Sequence, residues 1–170
     1  MPQGQYPTVY PGELLDASTI QAFAPLNAYK TVDESVKSST VLVNDSDLHV
    51  ALAANGIYFF AMLIVYTGGR QGSSDLKGSF AIPAGATLNY GFNGVSTSVG
   101  LTNVGFLKTG TATFTAGTSG AGVPWSIILA GTIFNSTAAG NLQFQWAQNT
   151  SSGRATTVKA GSALMAWRLG

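Results

Sequence analysis

The segment Asn44-Asp-Ser-Asp-Leu-His-Val50 gathers the side chains in this chain best suited to hold a cation. Read as a strand, it sets Asp45, Asp47 and His49 on one face, because alternate residues of a strand point the same way. Two carboxylates and an imidazole are reasonable metal ligands, and the spacing resembles the opening of a calcium loop. The likeness stops there: His49 stands at the fifth position, Val50 replaces the glycine at the sixth, and Gly56 replaces the bidentate glutamate at the twelfth. A polar strand edge entering from a turn is the better reading, and no metal is assigned.

Other chemistry is scarcer still. His49 is the single histidine, and all seven carboxylates (Glu13, Asp16, Asp33, Glu34, Asp45, Asp47 and Asp75) precede residue 76, so a Ser-His-Asp triad has few ways to assemble. The close acid pairs Asp33-Glu34 and Asp45/Asp47 read as solvated turns rather than as the flanking carboxylates of a glycosidase. Gly117-Thr-Ser-Gly-Ala-Gly122 lacks the Lys-Ser/Thr that completes a phosphate-binding loop and is followed by no helical pattern. With no cysteine there is no thiolate nucleophile, thiolate metal site or disulfide. The sequons at Asn44, Asn135 and Asn149 are put down to chance in a Ser/Thr-rich chain without a visible secretion signal. No catalytic residue, metal or cofactor is assigned, and the expectation is a protein that is not an enzyme.

Composition bounds the partners. Charged residues make up 9% of the 170, against 45% hydrophobic, which suits a single folded domain with a substantial core rather than a disordered chain. A net charge of +1, with Lys108, Arg154, Lys159 and Arg168 scattered through the C-terminal half, offers no basic patch for phosphates, so nucleic acid is not expected as a partner.

The elements that must position these residues are mostly strands. Residues 1–11 carry Pro2, Pro7 and Pro11 with Tyr6 and Tyr10 between them, which favours an extended arm; Tyr6, Pro7, Tyr10 and Pro11 are the candidate anchoring residues. Ser18-Thr-Ile-Gln21 matches a capping box and Pro25 follows soon after Phe23, predicting one short helix. From about residue 38 short apolar runs alternate with Gly, Asn, Ser and Pro punctuation, without helical stretches between them. The predicted architecture is all-β: an antiparallel β-sandwich, jelly-roll-like, with an extended N-terminal arm and one short helix. The division is residues 1–37 as arm and helix, anchoring the chain or contacting other copies, and residues 38–170 as the sandwich. Alternation puts Leu142, Phe144 and Trp146 inward, and likewise Ala163, Met165, Trp167 and Leu169, with Arg168 pointing away.

Gly56-Ile-Tyr-Phe-Phe-Ala-Met-Leu-Ile-Val-Tyr66 breaks the alternation. As a helix it would extend ~15 Å, half of a ~30 Å bilayer core, so membrane insertion is not expected; as a strand it extends ~33 Å with both faces apolar. One face carries Ile57, Phe59, Ala61, Leu63 and Val65; the other carries Tyr58, Phe60, Met62, Ile64 and Tyr66. Trp125–Phe134 is nearly as two-sided. A two-layer sandwich buries one face of each strand, so the second needs a cover. The chain's own N-terminal segment is one candidate and a second copy is the favoured one. Alternation does not say which set meets the core; the working assignment puts Tyr58, Phe60, Met62 and Ile64 on the oligomer-facing or covered side. Trp125, at the end of the 117–124 loop, is the candidate edge for a ligand.

Several segments carry a resemblance. Tyr10-Pro-Gly-Glu-Leu-Leu-Asp-Ala-Ser-Thr-Ile20, Tyr29-Lys-Thr-Val-Asp-Glu-Ser-Val-Lys-Ser-Ser-Thr40, Asp47-Leu-His-Val-Ala-Leu-Ala-Ala-Asn-Gly-Ile-Tyr58, Asp75-Leu-Lys-Gly-Ser-Phe-Ala-Ile-Pro-Ala-Gly-Ala86, Gly140-Asn-Leu-Gln-Phe-Gln-Trp-Ala-Gln-Asn-Thr150 and Val158-Lys-Ala-Gly-Ser-Ala-Leu-Met-Ala-Trp-Arg-Leu169 resemble small structural proteins of tailed bacteriophages of actinobacteria. The likeness covers most of the chain and is weakest over 93–124. It implies a virion component, of the minor tail or capsid-surface type, with a β-sandwich body and no catalytic signature. The expectation is a non-enzymatic protein of the particle surface, acting as capsid decoration or cement or as a minor tail protein. It would assemble in the host bacterial cytoplasm as a homo-oligomer, most simply a homotrimer, with the major capsid protein or tail proteins as partners. The alternative is a host receptor- or glycan-binding head of a phage appendage.

Overall fold

The computed structural model describes residues 10–12, 14, 16–17, 24–69, 72–95 and 103–170. Twelve strands run through them: β1 (Leu26–Tyr29), β2 (Glu34–Val36), β3 (Val43–Leu52), β4 (Ile57–Thr67), β5 (Leu76–Ala81), β6 (Thr87–Val95), β7 (Asn103–Thr109), β8 (Phe114–Ala116), β9 (Trp125–Phe134), β10 (Gly140–Gln148), β11 (Thr156–Val158) and β12 (Ala163–Arg168). Alternating or two-sided apolar runs of β-branched and aromatic residues explain the long ones. Turns are set where the backbone needs a left-handed residue: Asn55 (φ 57°) ends the β3–β4 connection and Gly85 (φ 74°) the β5–β6 connection.

The pairing has one organising rule. β1 pairs with β12, β2 with β11, β3 with β10, β4 with β9, β5 with β8 and β6 with β7, all antiparallel. Each strand thus meets the one equally far from the other end of the series, so the chain is one long antiparallel hairpin whose tip joins β6 to β7. Rolled up, successive pairs fall into two sheets. The larger runs β1-β12-β4-β9-β6-β7, with β11 pairing both β2 and β4; the smaller runs β3-β10-β5-β8. A hairpin wound into two facing antiparallel sheets is a jelly roll, and the all-β, jelly-roll-like sandwich read from the sequence is the fold observed.

Residues 26–36, grouped with the arm by the sequence, carry β1 and β2 and so belong to the larger sheet. Of the arm proper, Tyr6 and Pro7 lie outside the described residues, as does the short helix over residues 18–23. Tyr10 and Pro11 are exposed.

Between the sheets lies an aromatic core. Phe80 of the smaller sheet stands 5.3 Å from Phe60, 5.2 Å from Tyr90 and 5.8 Å from Phe144, ring centre to ring centre, each in edge-on geometry. Phe114 lies over Gly78, where a Cβ would come within 2.3 Å of the ring, so only glycine fits there. On β10 the inward set Leu142, Phe144 and Trp146 is buried as the alternation predicted. On β12 the inward set is reversed: Leu164 and Ala166 are buried, while Met165 and Trp167 face outward opposite Ala61 and Phe59 of β4. The inward reading of Ala163, Met165, Trp167 and Leu169 is therefore corrected, Leu169 being 53% exposed. Alternation fixes only which residues share a face; strand register is common to a whole sheet, and pairing with β4 decides which face is inside.

Two core tyrosines keep their hydroxyls bonded: Tyr66 donates to the Gly117 carbonyl at 2.6 Å and Tyr90 to the Ala112 carbonyl at 2.5 Å. Burial pushes both phenols up, Tyr90 to about 12, and Asp75 adds to the effect at Tyr66. An unfolded tyrosine ionises near pH ~10. The stability gained by keeping these phenols neutral is therefore complete below pH ~10 and is lost as pH rises through their folded values. Alkaline titration followed by phenolate absorbance should show a late component that coincides with loss of the β-sheet circular-dichroism signal. A Tyr66→Phe/Tyr90→Phe double variant should lack that component, and its persistence there would contradict the assignment.

Candidate interaction face and buried charge cluster

β4 is the longest strand and lies between β12 and β9, so its outward face is the middle of an open surface. The registers Ala61↔Met165 and Leu63↔Ala163 on one side, and Ala61↔Ala130 and Leu63↔Ile128 on the other, put these side chains abreast. Phe59 lies opposite Trp167, with ring centres 5.7 Å apart. Relative exposure is 38% for Phe59, 39% for Leu63, 59% for Ile128, 47% for Phe134 and 37% for Met165. An open trough of about 240 Å³, lined by Ala61, Met62, Leu63, Ile128, Ala163 and Met165, runs through the centre. The outward residues of the three strands include Thr67, Ser126 and Thr132 but no charged side chain. A contiguous apolar patch of this kind on a sheet centre is the mark of an interaction surface.

The sequence-predicted interface residues sit elsewhere. Tyr58, Phe60, Met62 and Ile64 are buried in the chain's own core, at 3%, 0%, 1% and 0% exposure, so the working assignment is corrected: their cover is the smaller sheet, and the surface left open is the Phe59, Leu63 and Val65 set. The physical reason is volume. Tyr58, Phe60 and Tyr66 of the even-numbered set join Phe80, Phe144 and Leu142 in one core cluster, whereas on the outward face Ala61 and Leu63 lie beside the small residues Ala130 and Ala163. Trp125 is half-buried against the core and donates its indole N–H to the Ser119 hydroxyl at 3.0 Å. The adjoining loop is held from behind by Asp75, whose buried carboxylate accepts from the Thr118 amide (2.9 Å) and hydroxyl (3.0 Å); burial pushes that carboxyl up despite these bonds.

Sequence reasoning missed a second feature, a buried ionic cluster. Over the stretch where β10 passes from Gln143 to Gln145, its partner passes from His49 to Asn44, so β3 carries three residues more than β10 there. This bulge turns Asp45 inward while leaving His49 exposed, and it disperses the Asp45, Asp47 and His49 face that regular alternation would have built. Among the described residues no group of three or more His, Asp or Glu side chains is arranged to hold a metal.

Asp45 instead meets Lys30, which follows β1. Both side chains are fully buried, and Nζ lies 3.0 Å from each Asp45 carboxylate oxygen. Glu34 Oε2 also accepts from Nζ, and Asp47 lies 3.8 Å away. Asp45 Oδ1 accepts the amides of Asp47 (3.1 Å) and Leu48 (3.0 Å); Oδ2 accepts the indole N–H of Trp146 (3.2 Å). Burial alone would lower the Lys30 pKa, but the hydrogen bonds to Glu34 and Asp45 outweigh it and hold the ammonium above its ordinary value. Burial would likewise raise Glu34, yet Lys30 and the Ser46 amide bring it below the usual carboxylate range. The backbone of Lys30 is paired with the β11–β12 connection, donating to Ser162 O and accepting from Gly161 N. Its side chain thus joins the edge of the larger sheet to β3 of the smaller one.

No family model matches this chain, and no curated protein matches it. Among solved structures it is similar to the Eiger TNF of S. frugiperda, at 10% identity over 86% of this chain and 94% of that one, with a TM-score of 0.39. It is also similar to infectious bursal disease virus Gx strain, at 12% identity, 86% of this chain, 36% of that one and a TM-score of 0.21. A third similarity is to the VP2 subviral particle of infectious bursal disease virus, at 10% identity, 85% and 40% coverage and a TM-score of 0.21. This chain spans less than half the length of either virus protein.

The two faces of β4 should respond differently to truncation. Phe60→Ala, in the core, should destabilise the fold by about 3–5 kcal/mol, whereas Leu63→Ala, on the outer face, should change the stability of the separate chain by less than ~1 kcal/mol. Denaturant unfolding of both variants under conditions where the chain is monomeric measures the difference, and equal losses would contradict the assignment of faces.

Proposed function

We propose that this chain is a non-enzymatic structural protein of a virus particle surface, and that it assembles with copies of itself through the outer face of β4, β9 and β12. The observation that carries the self-assembly is the uncharged apolar surface centred on Leu63 and Ile128. Covering ~400 Å² of such surface contributes on the order of 10 kcal/mol before association costs, enough to hold subunits together at the high local concentration of a particle. The assignment to a virion rests on the likeness of the six segments quoted above to actinobacteriophage structural proteins. Within that reading the chain is a capsid decoration or cement protein, or a minor tail protein, built as a homotrimer, with the residues before β1 reaching the underlying capsid or tail. Its mechanism is burial of apolar surface between chains rather than chemistry. The rival reading as a glycan-binding head draws no support from Trp125, whose ring is half-buried and whose N–H is engaged.

Light scattering after size-exclusion chromatography should find a homo-oligomer at micromolar concentration. Leu63→Glu and Ile128→Glu should each place a charge in the contact and shift the protein to monomer, with the circular-dichroism spectrum unchanged. A native chain that stays monomeric removes the self-assembly argument. For the virion assignment, antibody-labelled particles viewed by electron microscopy should carry the protein at regular surface positions, and particles devoid of label would count against it.

A further inference from the structure

The buried cluster around Lys30 is arranged for a reaction as well as for an ion pair. We propose that Lys30 and Asp45 condense within the folded chain to form an isopeptide bond between Lys30 Nζ and Asp45 Cγ, with Glu34 as the proton carrier.

The geometry supplies each part. Nζ is equidistant, at 3.0 Å, from the two Asp45 oxygens, which brings the nitrogen within reach of the carboxyl carbon, reacting atoms about 3–3.5 Å apart being close enough to attack once aligned. Both side chains are closed to solvent, so the amine is held against the Asp45 carboxyl, and effective concentrations of order 10⁵ M or more replace a bimolecular encounter. The amides of Asp47 and Leu48 both aim at Oδ1, where negative charge develops when the carbon becomes tetrahedral; two such backbone donors form an oxyanion hole. Glu34 touches Nζ, is itself fixed by the Ser46 amide at 3.2 Å, and is partly open to solvent. It can therefore take protons from the nitrogen and return them to the carboxyl oxygen.

The step balances without any co-reactant. The resting pair is ammonium and carboxylate. One proton passes from Nζ through Glu34 to Oδ2, leaving a neutral amine and a carboxylic acid. The nitrogen lone pair attacks Cγ, and the C–O π pair moves onto Oδ1. Glu34 takes the second proton from the nitrogen and gives it to the Oδ2 hydroxyl, which leaves as water with the electrons of the broken C–O bond as the Oδ1 pair restores the carbonyl. One N–C bond forms, one C–O bond breaks, no electrons are exchanged with another molecule, and Glu34 ends as it began. Trp146, which donates to Oδ2, steadies the departing oxygen. Nothing in this reaction depends on whether the chain self-associates.

The test is the intact mass of the purified, denatured native chain. The expected result is a mass one water below that of the sequence. Lys30 is the first tryptic site and Lys37 the second, with Arg70 next, so trypsin should leave residues up to Lys37 joined to 38–70 in one branched peptide. A folded chain at the full sequence mass, releasing a free peptide ending at Lys30, overturns the proposal and leaves a plain ion pair; so does a water lost without the branched peptide. Glu34→Gln, checked for folding by circular dichroism, should remain at its own full mass or lose the water many-fold more slowly. Loss at the native rate would overturn the role given to Glu34. Lys30→Met should never lose the water, and if it does the bond has been placed wrongly.

Discussion

A strand in a two-layer sandwich has one face inside and one face outside, and β4 carries apolar side chains on both. That constraint organises the rest of the molecule. β4 is paired along nearly its whole length with β9, from Ile57↔Phe134 to Tyr66↔Trp125, and on its other side with β12 and β11. A strand so placed cannot slip by one residue without exchanging Phe60 and Met62 for Phe59 and Leu63 across the sheet. The aromatic volume of the even-numbered set fits the space under Phe80 and Phe144, and the register of every neighbour follows. Trp167 is outside because Phe59 is outside, and Leu164 is inside because Met62 is.

The nested pairing adds a second constraint. In a hairpin rolled from its tip, the pairs nearest the termini close the structure, and here those are short: β1 has four residues and β2 three. Such strands contribute few ladder hydrogen bonds, so their hold on the sandwich must come from elsewhere. Lys30 provides it, with backbone bonds to the β11–β12 connection and a side chain that reaches Asp45 in the opposite sheet. A buried ion pair adds little net stability compared with well-packed apolar residues. What this one supplies is specificity of place: leaving Asp45 or Lys30 unpaired in the core is costly, so the segment has one docking position. Asp33, paired to Lys159 and to the Ala160 amide, ties the same segment down at the surface.

Much of the fold was legible in the sequence and much of the site was not, for different reasons. Strand positions and the all-β class follow from local patterning, and the alternation in β10 identified Leu142, Phe144 and Trp146 correctly because one of its faces is polar. β4 and β12 are poor in polar residues on both faces, so local pattern carries no direction and only pairing with neighbours decides it. β1 and β2 escaped notice because Leu26–Tyr29 and Glu34–Val36 are too short and too polar to show a period. The Lys30 cluster was hidden for a related reason. A lysine among polar residues reads as solvated, and its partner lies fifteen positions on, inside a bulge that alternation cannot foresee. The one usable signal was scarcity: in a chain with so few charges, Lys30, Glu34, Asp45 and Asp47 crowd into eighteen positions.

That scarcity links the two features. Among the described residues, Asp33, Glu34, Asp45, Asp47 and Asp75 are all committed to partners within the chain. Charges spent on closing the roll are not available to the outer face of the larger sheet, and that face is left with Phe59, Leu63, Ile128, Phe134 and Met165. Most soluble monomers scatter charge over such a surface, where it limits association by repulsion and by the desolvation it demands. Here neither obstacle is present. A sandwich held internally by aromatic packing and one buried ionic seam can leave a sheet centre apolar without loosening its own fold, and what such a centre gains in free energy comes only from being covered.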